Sequence, residues 1–260
     1  MIKIAKKMRN RERKRLQKRL EEAKTQGGVS ASLFLEWEMN ALTDADCFFF
    51  FGRRRRPKAV LSAFFPDEES AEFTVAQFEK EENALSELFL RALKECRKVG
   101  VTKIHTVVDP ALGFSLEETK QVCFSYDRSE YMLRIETEQL IKKQTGLRPE
   151  VTFLKQDAGD GDGTLRYGLG KGQAVLSECL IYPVAGTDQV YLFGLKTKAD
   201  FRRQGLATAL MCEIAKDLIK QGKSIIRLQV SSDNREAEPL YRRLGFQTEE
   251  ERMYYRTKER

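Results

Sequence analysis

The segment 201–207, FRRQGLA, is the strongest candidate for binding chemistry in this sequence. It contains the pattern Arg-x-x-Gly-x-Ala between a strand-like run at 190–195 and a helix-like segment at 205–222. Average residue usage alone produces so short a pattern in roughly one chain in five of this length. The position of the pattern between a strand and a helix is therefore the stronger argument that this segment binds a ligand.

A glycine-containing turn in this position suits an anionic ligand. The first turn of a helix leaves several backbone N–H groups free, and the helix dipole adds a partial positive charge there. Gly205 permits close approach of a phosphate, and Ala207 keeps the first turn narrow. Arg202 and Arg203 add charge and bidentate donors. These residues predict a pyrophosphate site; the alternative is an ordinary basic loop before a helix.

A second motif, SDNREAEPLYRRLGF, follows at 232–246. Six of its residues fit the pattern Asn-x-x-Ala-x-x-Leu-Tyr-x-x-x-Gly-Phe, namely Asn234, Ala237, Leu240, Tyr241, Gly245 and Phe246. With the upstream pattern at the right spacing, the sequence resembles the GCN5-related N-acetyltransferases (the GNAT family). The resemblance is strong over 188–256 and extends back to about residue 150.

The resemblance implies acetyl-CoA as the co-substrate that donates the acetyl group, and an amine as the usual acceptor. It implies that the CoA pyrophosphate is cradled by Arg202, Arg203, Gln204, Gly205, Leu206 and Ala207. It implies that the pantetheine arm pairs with the backbone of Leu195, Lys196 and Thr197. Asn234 would contact the cofactor.

Tyr241 is implied as the general acid near the thioester sulfur. Collapse of the tetrahedral intermediate expels a thiolate, which a positioned phenol can hydrogen-bond or protonate. Two alternatives stay open: Asn234 as a helix N-cap only, and Tyr241 as a packed aromatic without a proton role. Pro239 removes a helical N–H, so we expect it to bend or delay this short helix. Glu178 is a candidate general base, with a solvent-facing carboxylate as the alternative.

The sequence also contains an internal repeat with an offset of 122 residues. The helix-like segment at 83–100 aligns with 205–222, and six apolar positions form the same helical stripe in both. The six pairs are Leu85/Ala207, Leu88/Leu210, Phe89/Met211, Ala92/Ile214, Leu93/Ala215 and Cys96/Leu218. Each segment is followed by a strand-like run, at 102–108 and at 224–230. The offset also pairs Tyr131–Arg134 with Met253–Arg256.

The repeat and the resemblance together predict the fold class and the domains. We expect an α/β (α+β) protein with two tandem GNAT-like domains, each a mixed twisted sheet flanked by helices. The expected division is a basic helical tail at 1–28, a degenerate GNAT-like domain at 29–140 and a catalytic domain at 141–260. The first copy has EKEENAL at 79–85 where the second has the Arg-x-x-Gly-x-Ala segment. The three carboxylates would repel an anion there, and the absence of glycine would prevent its close approach to the backbone.

The positive charge is concentrated at the N-terminus. Residues 1–25 carry eleven Lys or Arg and three Glu, a net charge of +8, against +7 for the whole chain. The helix-forming stretch at 9–24 has only Leu16 and Leu20 as large apolar residues, which predicts an exposed or semi-detached helix. A solvated tail is one interpretation, and contact with RNA or a ribosome is the other. A second basic cluster, Arg53–Arg56, indicates a hairpin turn, with phosphate binding as the alternative.

Composition excludes several classes of protein and site. No apolar run is long enough to span a membrane, and no secretory signal is visible. The five cysteines form no CxxC pair and His105 is the only histidine, so we expect no metal site, reduced thiols and a cytoplasmic location. His105 is expected to be an ordinary strand residue.

Three functions compete at this point. The first is an acetyl-CoA-dependent N-acetyltransferase that acetylates a primary amine of a small molecule or peptide. The second is a non-catalytic acetyl-CoA-binding or scaffold protein. The third is an RNA- or ribosome-associated protein, with nucleic acid contacted only through residues 1–25. A segment at 34–41 is a helix candidate that could wall an acceptor pocket.

Overall fold

The computed structural model describes residues 2–25, 30–31, 46–79, 81–108, 122–142, 149–159, 161 and 163–257. The strands are β1 Ile2–Ala5, β2 Ser30–Ala31, β3 Cys47–Arg53, β4 Arg56–Phe64, β5 Ser70–Gln77, β6 Lys103–Val108, β7 Phe124–Glu136, β8 Thr152–Asp157, β9 Leu165–Lys171, β10 Ala174–Pro183, β11 Gln189–Thr197, β12 Ile225–Ser231 and β13 Gln247–Thr257. The helices are α1 Asn10–Thr25, α2 Ala84–Lys98, α3 Thr137–Ile141, α4 Leu206–Lys220 and α5 Ala237–Leu244. None of these helices is long and apolar enough to cross a bilayer. The helix candidate at 34–41 lies outside the described residues.

The chain folds into two compact units. Unit 1 comprises Met1–Ser129 and Glu251–Arg260, and unit 2 comprises Glu130–Glu250. The domain bounds predicted from the sequence, 1–28, 29–140 and 141–260, stay a prediction. The compact units divide elsewhere, within β7 and within β13, and the last residues of the chain belong to unit 1.

Unit 2 is built on a mixed sheet with strand order β7-β12-β11-β10-β9-β8. All its pairs are antiparallel except β11 with β12, which are joined by α4 and run parallel. Such a crossover connection requires a helix on one face of the sheet. Helix α4 packs its apolar stripe against the sheet in one core, which includes Leu210, Ile214 and Leu218.

Unit 1 repeats this plan. Its strands follow the order β1-β3-β4-β5-β6-β13, with β2 paired to β5, and β5 and β6 are the parallel pair joined by α2. The basic cluster forms the predicted hairpin turn, since Arg54 and Arg55 connect β3 to β4. His105 is an exposed residue of β6, as expected.

Left-handed backbone positions confirm the 122-residue repeat. Helices α2 and α4 are each preceded by such a residue, Asn83 (φ 61°) and Gly205 (φ 81°). The same offset relates Gly100 (φ 86°) to Gly222 (φ 72°), and Cys123 (φ 62°) to Gly245 (φ 101°). Backbone geometry is therefore retained even where glycine has been replaced, at a cost of about 1–2 kcal/mol for a residue that carries a Cβ.

The closing strands of the two repeats are exchanged. Strand β7 of the first repeat pairs with β12, with Tyr131 opposite Val230. Strand β13 of the second repeat pairs with β6, with Met253 opposite Val108. These two registers are the same register shifted by 122 residues. The exchange explains why the compact units do not coincide with the repeats.

The N-terminal helix is not semi-detached, which corrects the expectation from its composition. Leu16 and Leu20 are buried and form a core with Phe48, Phe50 and Val60. Strand β1 adds to the edge of the sheet by pairing with β3. Two leucines at i, i+4 spacing suffice to pack the helix onto the sheet, because the sheet presents a phenylalanine-rich surface to them. Residues 2–25 are thus part of unit 1.

We expect Leu16→Ala to lower the free energy of unfolding by about 2–4 kcal/mol, because it opens a cavity between α1 and the sheet. Lys14→Ala, on the exposed face of the same helix, is the matched control and should change it by less than about 0.5 kcal/mol. Urea unfolding followed by circular dichroism measures both. Equal, small effects would mean that α1 does not pack on unit 1.

Candidate active site

The site begins where the two parallel strands of unit 2 separate. Strands β11 and β12 pair only over Gln189–Tyr191 and Ile225–Arg227, although both continue toward their carboxyl ends. On its other side, β11 stays paired with β10 as far as Thr197. Within the described part of the chain, Leu195, Lys196 and Thr197 therefore have no partner strand on the β12 side. Ligands of open α/β sheets bind at the carboxyl ends of parallel strands.

A bulge in β11 accompanies this separation. Glu178 pairs with Lys196 and Leu180 pairs with Phe193, so Cys179 faces two residues of β11. One of them is Gly194, with φ of 65°, which a residue carrying a Cβ rarely adopts. Gly194 is not among the site residues predicted from the sequence. The signal was available, because a glycine inside a strand pattern often marks a bulge or the close approach of a ligand.

The turn that leads into α4 presents a row of unused donors. Among the described residues, no hydrogen bond is donated by the backbone N–H groups of residues 203–208, and the first helical bond is Ala209 N–H to Gly205 O at 2.9 Å. No side chain caps the helix. A Cβ added to Gly205 would meet no heavy atom within 4 Å, so the space in front of the turn is open. Consecutive free N–H groups at a helix start form an anion-binding concavity.

The polar side chains of this turn are partly engaged already. Arg202 donates from Nε to Thr197 O (3.2 Å) and from a terminal nitrogen to Glu236 (3.0 Å). Gln204 donates to Asp200 O. Arg203 is exposed, with φ of 58°. The backbone donors, rather than Arg202 or Gln204, are thus the groups that stand free for an anion.

The second motif forms the loop and helix that follow β12. Asn234 Oδ1 accepts a hydrogen bond from Ala237 N–H (3.0 Å), so it caps the start of α5. The alternative role considered for Asn234 is therefore present in the structure. Pro239 is the third residue of α5, so it lies in the first turn of the helix, where proline is best tolerated. The Arg202–Glu236 ion pair joins this loop to the turn before α4.

Tyr241 is the buried phenol of the site. Its side chain is 6% exposed and packs edge-on against Phe246, with ring centroids 5.5 Å apart. Burial, with a smaller contribution from the nearby Cys179 thiol, raises the pKa of Tyr241 to about 12. No residue of the described chain is hydrogen-bonded to its hydroxyl. Tyr241 is therefore a protonated donor at neutral pH whose hydroxyl is available to a ligand.

Glu178 is held by two cations instead of standing free as a base. Its carboxylate lies 2.8 Å from Lys196 Nζ and 3.4 Å from an Arg166 nitrogen. The hydrogen bond from Lys196 is the main reason that the pKa of Glu178 lies below its usual value. A carboxylate with a lowered pKa and two partners is poorly suited to accept a proton from an amine.

We expect Glu178→Gln to lower the stability of unit 2 by about 1 kcal/mol or less at pH 7, because the ion pairs are partly exposed. The folded-state pKa lies below the ordinary value of 4.5, so this contribution is present above that value and is lost as the pH falls through the lowered pKa. Urea unfolding of both proteins at pH 7 and near pH 3 measures it. A difference that persists at low pH would contradict the ion-pair explanation.

In the part of unit 1 that the structure describes, the corresponding positions are built differently. Beyond Phe73 its parallel pairing also ends, but β2 pairs there with Ala76 and Gln77 of β5. Before α2, Ala84 N–H already donates to Glu81 O, at 3.4 Å, and Glu81 contacts Lys58. The first-copy counterpart of Tyr241, Thr119, lies outside the described residues. In unit 1 an added strand thus occupies the strand edge that is open in unit 2, and carboxylates lie beside the start of the helix.

Comparison with known proteins identifies relatives of the C-terminal repeat. The family model described as "FR47-like protein" matches residues 170–255, which hold β11, α4, β12 and α5. The C-terminal repeat is a GNAT domain. The tandem GNAT protein from the clavulanic acid biosynthesis pathway has the same fold, with a TM-score of 0.67 and 9% identity over 99% of this chain and 98% of that one. A GCN5-related N-acetyltransferase from Sphaerobacter thermophilus has a TM-score of 0.61, with 12% identity over 85% of this chain and 84% of that one.

The chain thus has the tandem GNAT fold, with a degenerate N-terminal copy, as the sequence predicts.

Among curated proteins, the [Ribosomal protein bS18]-alanine N-acetyltransferase of Escherichia coli K12 is 37% identical over 71 residues, 27% of this chain. The protein of that name from Shigella flexneri matches equally. The chain spans about half the length of these curated relatives, 48%.

Proposed function

We propose that this protein is an N-acetyltransferase that uses acetyl-CoA and has one active site, in unit 2. The observation that carries the proposal is the row of unused backbone N–H groups at 203–208, placed at the end of the separated strands β11 and β12. The first N–H groups of any helix lack a helical partner, so the distinguishing features of this turn are the open strand edge beside it and the open space in front of Gly205. A row of backbone donors that no residue of the described chain uses suits a diphosphate.

The residues fit acetyl-CoA along the whole length of the site. The N–H groups of 203–208 would bind the pyrophosphate, with Arg203 free to add charge. The unpaired edge of Leu195–Thr197 would hydrogen-bond the amides of the pantetheine arm as a neighbouring strand does. Gly194 lies where the thioester end would approach the bulge. Asn234 would contribute through its amide nitrogen, since its oxygen caps α5.

Tyr241 would act as the general acid. In the reaction the acceptor nitrogen forms a bond to the acetyl carbon, the carbon–sulfur bond breaks, and the sulfur leaves with the bonding electrons. Tyr241 Oη would donate its proton to that sulfur, and the proton lost by the amine would restore the phenol. A phenol with a raised pKa keeps its proton until negative charge develops next to it.

The acceptor is proposed to be a primary amine of a peptide or small molecule. The curated relatives are named for an alanine of a ribosomal protein, which favours a peptide N-terminus as the first acceptor to test. No general base is assigned among the residues of unit 2. The five free cysteines suit a reducing cytoplasmic compartment.

Two measurements test this function in sequence. Isothermal titration calorimetry with acetyl-CoA and with CoA tests the binding site. Thiol release followed with a chromogenic disulfide then screens peptides with free and blocked N-termini, and small primary amines. We expect binding of both CoA forms and thiol release only with free amines. Absence of acetyl-CoA binding would contradict the proposed function.

A further inference from the structure

A basic face of unit 1 is formed by two segments that are far apart in the sequence. Helix α1 carries Arg11, Lys14, Arg15 and Lys18, all exposed. Their spacing of i, i+3, i+4 and i+7 places them on one side of the helix. The turn between β3 and β4 adds Arg53, Arg55 and Arg56, also exposed. These seven residues are referred to below as the basic face.

Specific contacts fix the helix against the turn. Arg54 of the turn contacts Glu12 of α1 at 2.8 Å and lies over the ring of Phe50. Arg19 of α1 donates to Pro57 O at 2.5 Å and lies over the ring of Phe78. The two basic segments therefore form one fixed surface.

A small hollow joins the two segments at their contact. It is lined by four arginines, one carboxylate and four apolar residues, namely Arg15, Arg19, Arg54, Arg55, Glu12, Met8, Leu16, Phe50 and Pro57. The Nε–H of Arg54 is buried and has no hydrogen-bond partner within the described chain. Arg15 and Arg55 are exposed, so their guanidinium groups are the ones that an anion can reach here.

Most of the basic face has no counter-charge. Within the described residues, six of its seven cations make no ion pair, and Lys18 alone pairs with Glu22, at 3.5 Å. The charge of this part of the chain is far from balanced. Residues 1–25 and 53–58 hold sixteen Lys or Arg and three Glu, a net charge of +13, so the remaining residues sum to −6. Mutual repulsion on this scale is relieved by a polyanion.

We propose that the basic face binds the phosphate backbone of a nucleic acid. The four cations of α1 extend over about 10 Å of the helix axis, a length over which a nucleic acid strand presents several phosphates. Arginine suits phosphate geometry. The large apolar residues of α1, Leu16 and Leu20, are buried in unit 1, so the helix has no apolar side with which to enter a lipid bilayer.

The test measures fluorescence anisotropy of a labelled 20-nucleotide RNA against protein from 50 to 300 mM KCl. We expect wild-type binding that weakens steeply with salt. The variant Arg11→Gln/Arg15→Gln/Arg55→Gln should bind at least about tenfold more weakly at low salt, with a salt slope smaller by about 2, since three phosphate contacts are removed. Lys94→Gln/Arg97→Gln/Lys171→Gln removes the same charge from exposed sites outside the basic face and should bind RNA as wild type does.

Three further arms define the partner. A DNA of the same sequence is expected to bind by the same contacts with a similar salt slope. Polyglutamate and vesicles with anionic headgroups are expected to bind much more weakly than RNA. The proposal is overturned if wild type does not bind RNA, if both triple variants lose affinity equally, or if polyglutamate or vesicles bind as tightly as RNA. Acetyl-CoA binding should be unchanged in both variants, so this result is independent of the proposed enzymatic function.

Discussion

Gly205→Glu is expected to weaken acetyl-CoA binding by about 100-fold or more, which corresponds to about 2.8 kcal/mol. Gly205 lies in the row of free N–H groups and has a left-handed backbone with φ of 81°. A glutamate there would place a carboxylate in front of the donors that we assign to the pyrophosphate. It would also strain the turn by about 1–2 kcal/mol. Isothermal titration calorimetry measures the loss directly.

The control for this variant is Gly222→Glu, at the other end of α4. Gly222 has nearly the same backbone geometry, with φ of 72°, and equally open surroundings. The control therefore reproduces the strain and the added charge but lies at the helix C-terminus. It should be destabilised at least as much as Gly205→Glu, because a carboxylate at a helix C-terminus opposes the helix dipole, and it should bind acetyl-CoA as wild type does. If both variants bind alike, the anion site is not at the start of α4.

Tyr241→Phe is expected to lower kcat by about 100-fold or more, because it removes the proton offered to the departing sulfur. The affinity for acetyl-CoA should change little, since the ring and its contact with Phe246 remain. The stability should change by less than about 0.5 kcal/mol, because within the described chain the hydroxyl has no hydrogen-bond partner to lose. Steady-state kinetics with the best acceptor, calorimetry and urea unfolding measure the three quantities.

Tyr167→Phe is the matched control for this prediction. Tyr167 is fully buried, but its hydroxyl donates to Asp217 at 2.6 Å and also lies 3.3 Å from Gln221. Its loss should lower the stability by about 1–3 kcal/mol and leave kcat unchanged. Loss of a general acid lowers kcat and leaves the stability unchanged, whereas loss of a structural hydroxyl lowers the stability and leaves kcat unchanged. A Tyr241→Phe enzyme with full activity would mean that Tyr241 only packs.

Several features of the site could be predicted from the sequence. The start of α4 at Leu206, the cap at Asn234 and the helix with Tyr241 depend on local patterns of glycine, capping residues and apolar spacing. Such patterns act over a few residues. The positions of the two parallel strands can be predicted from such local patterns. The repeat is recognised because the same local patterns recur 122 residues later.

Other features required the tertiary structure. The sequence does not indicate that Arg202 is already held by Thr197 and Glu236, or that Glu178 is paired with Arg166 and Lys196. These contacts join residues on different elements, so their occurrence depends on strand order and register. The prediction for α1 was wrong for the same reason, since two leucines indicate packing only when the opposite surface is known.

The sequence by itself determined that there are two related α/β repeats, that the second carries GNAT motifs, and that the first has carboxylates where an anion would bind. The tertiary structure decided that β7 pairs with β12 and β13 with β6. Strands β7 and β13 are the two copies of the closing strand, and they pair in equivalent registers. Local sequence patterns therefore fit pairing within a repeat and pairing between repeats equally well. The choice depends on contacts between residues more than a hundred positions apart in the chain, as β6 and β13 are, which no local pattern encodes.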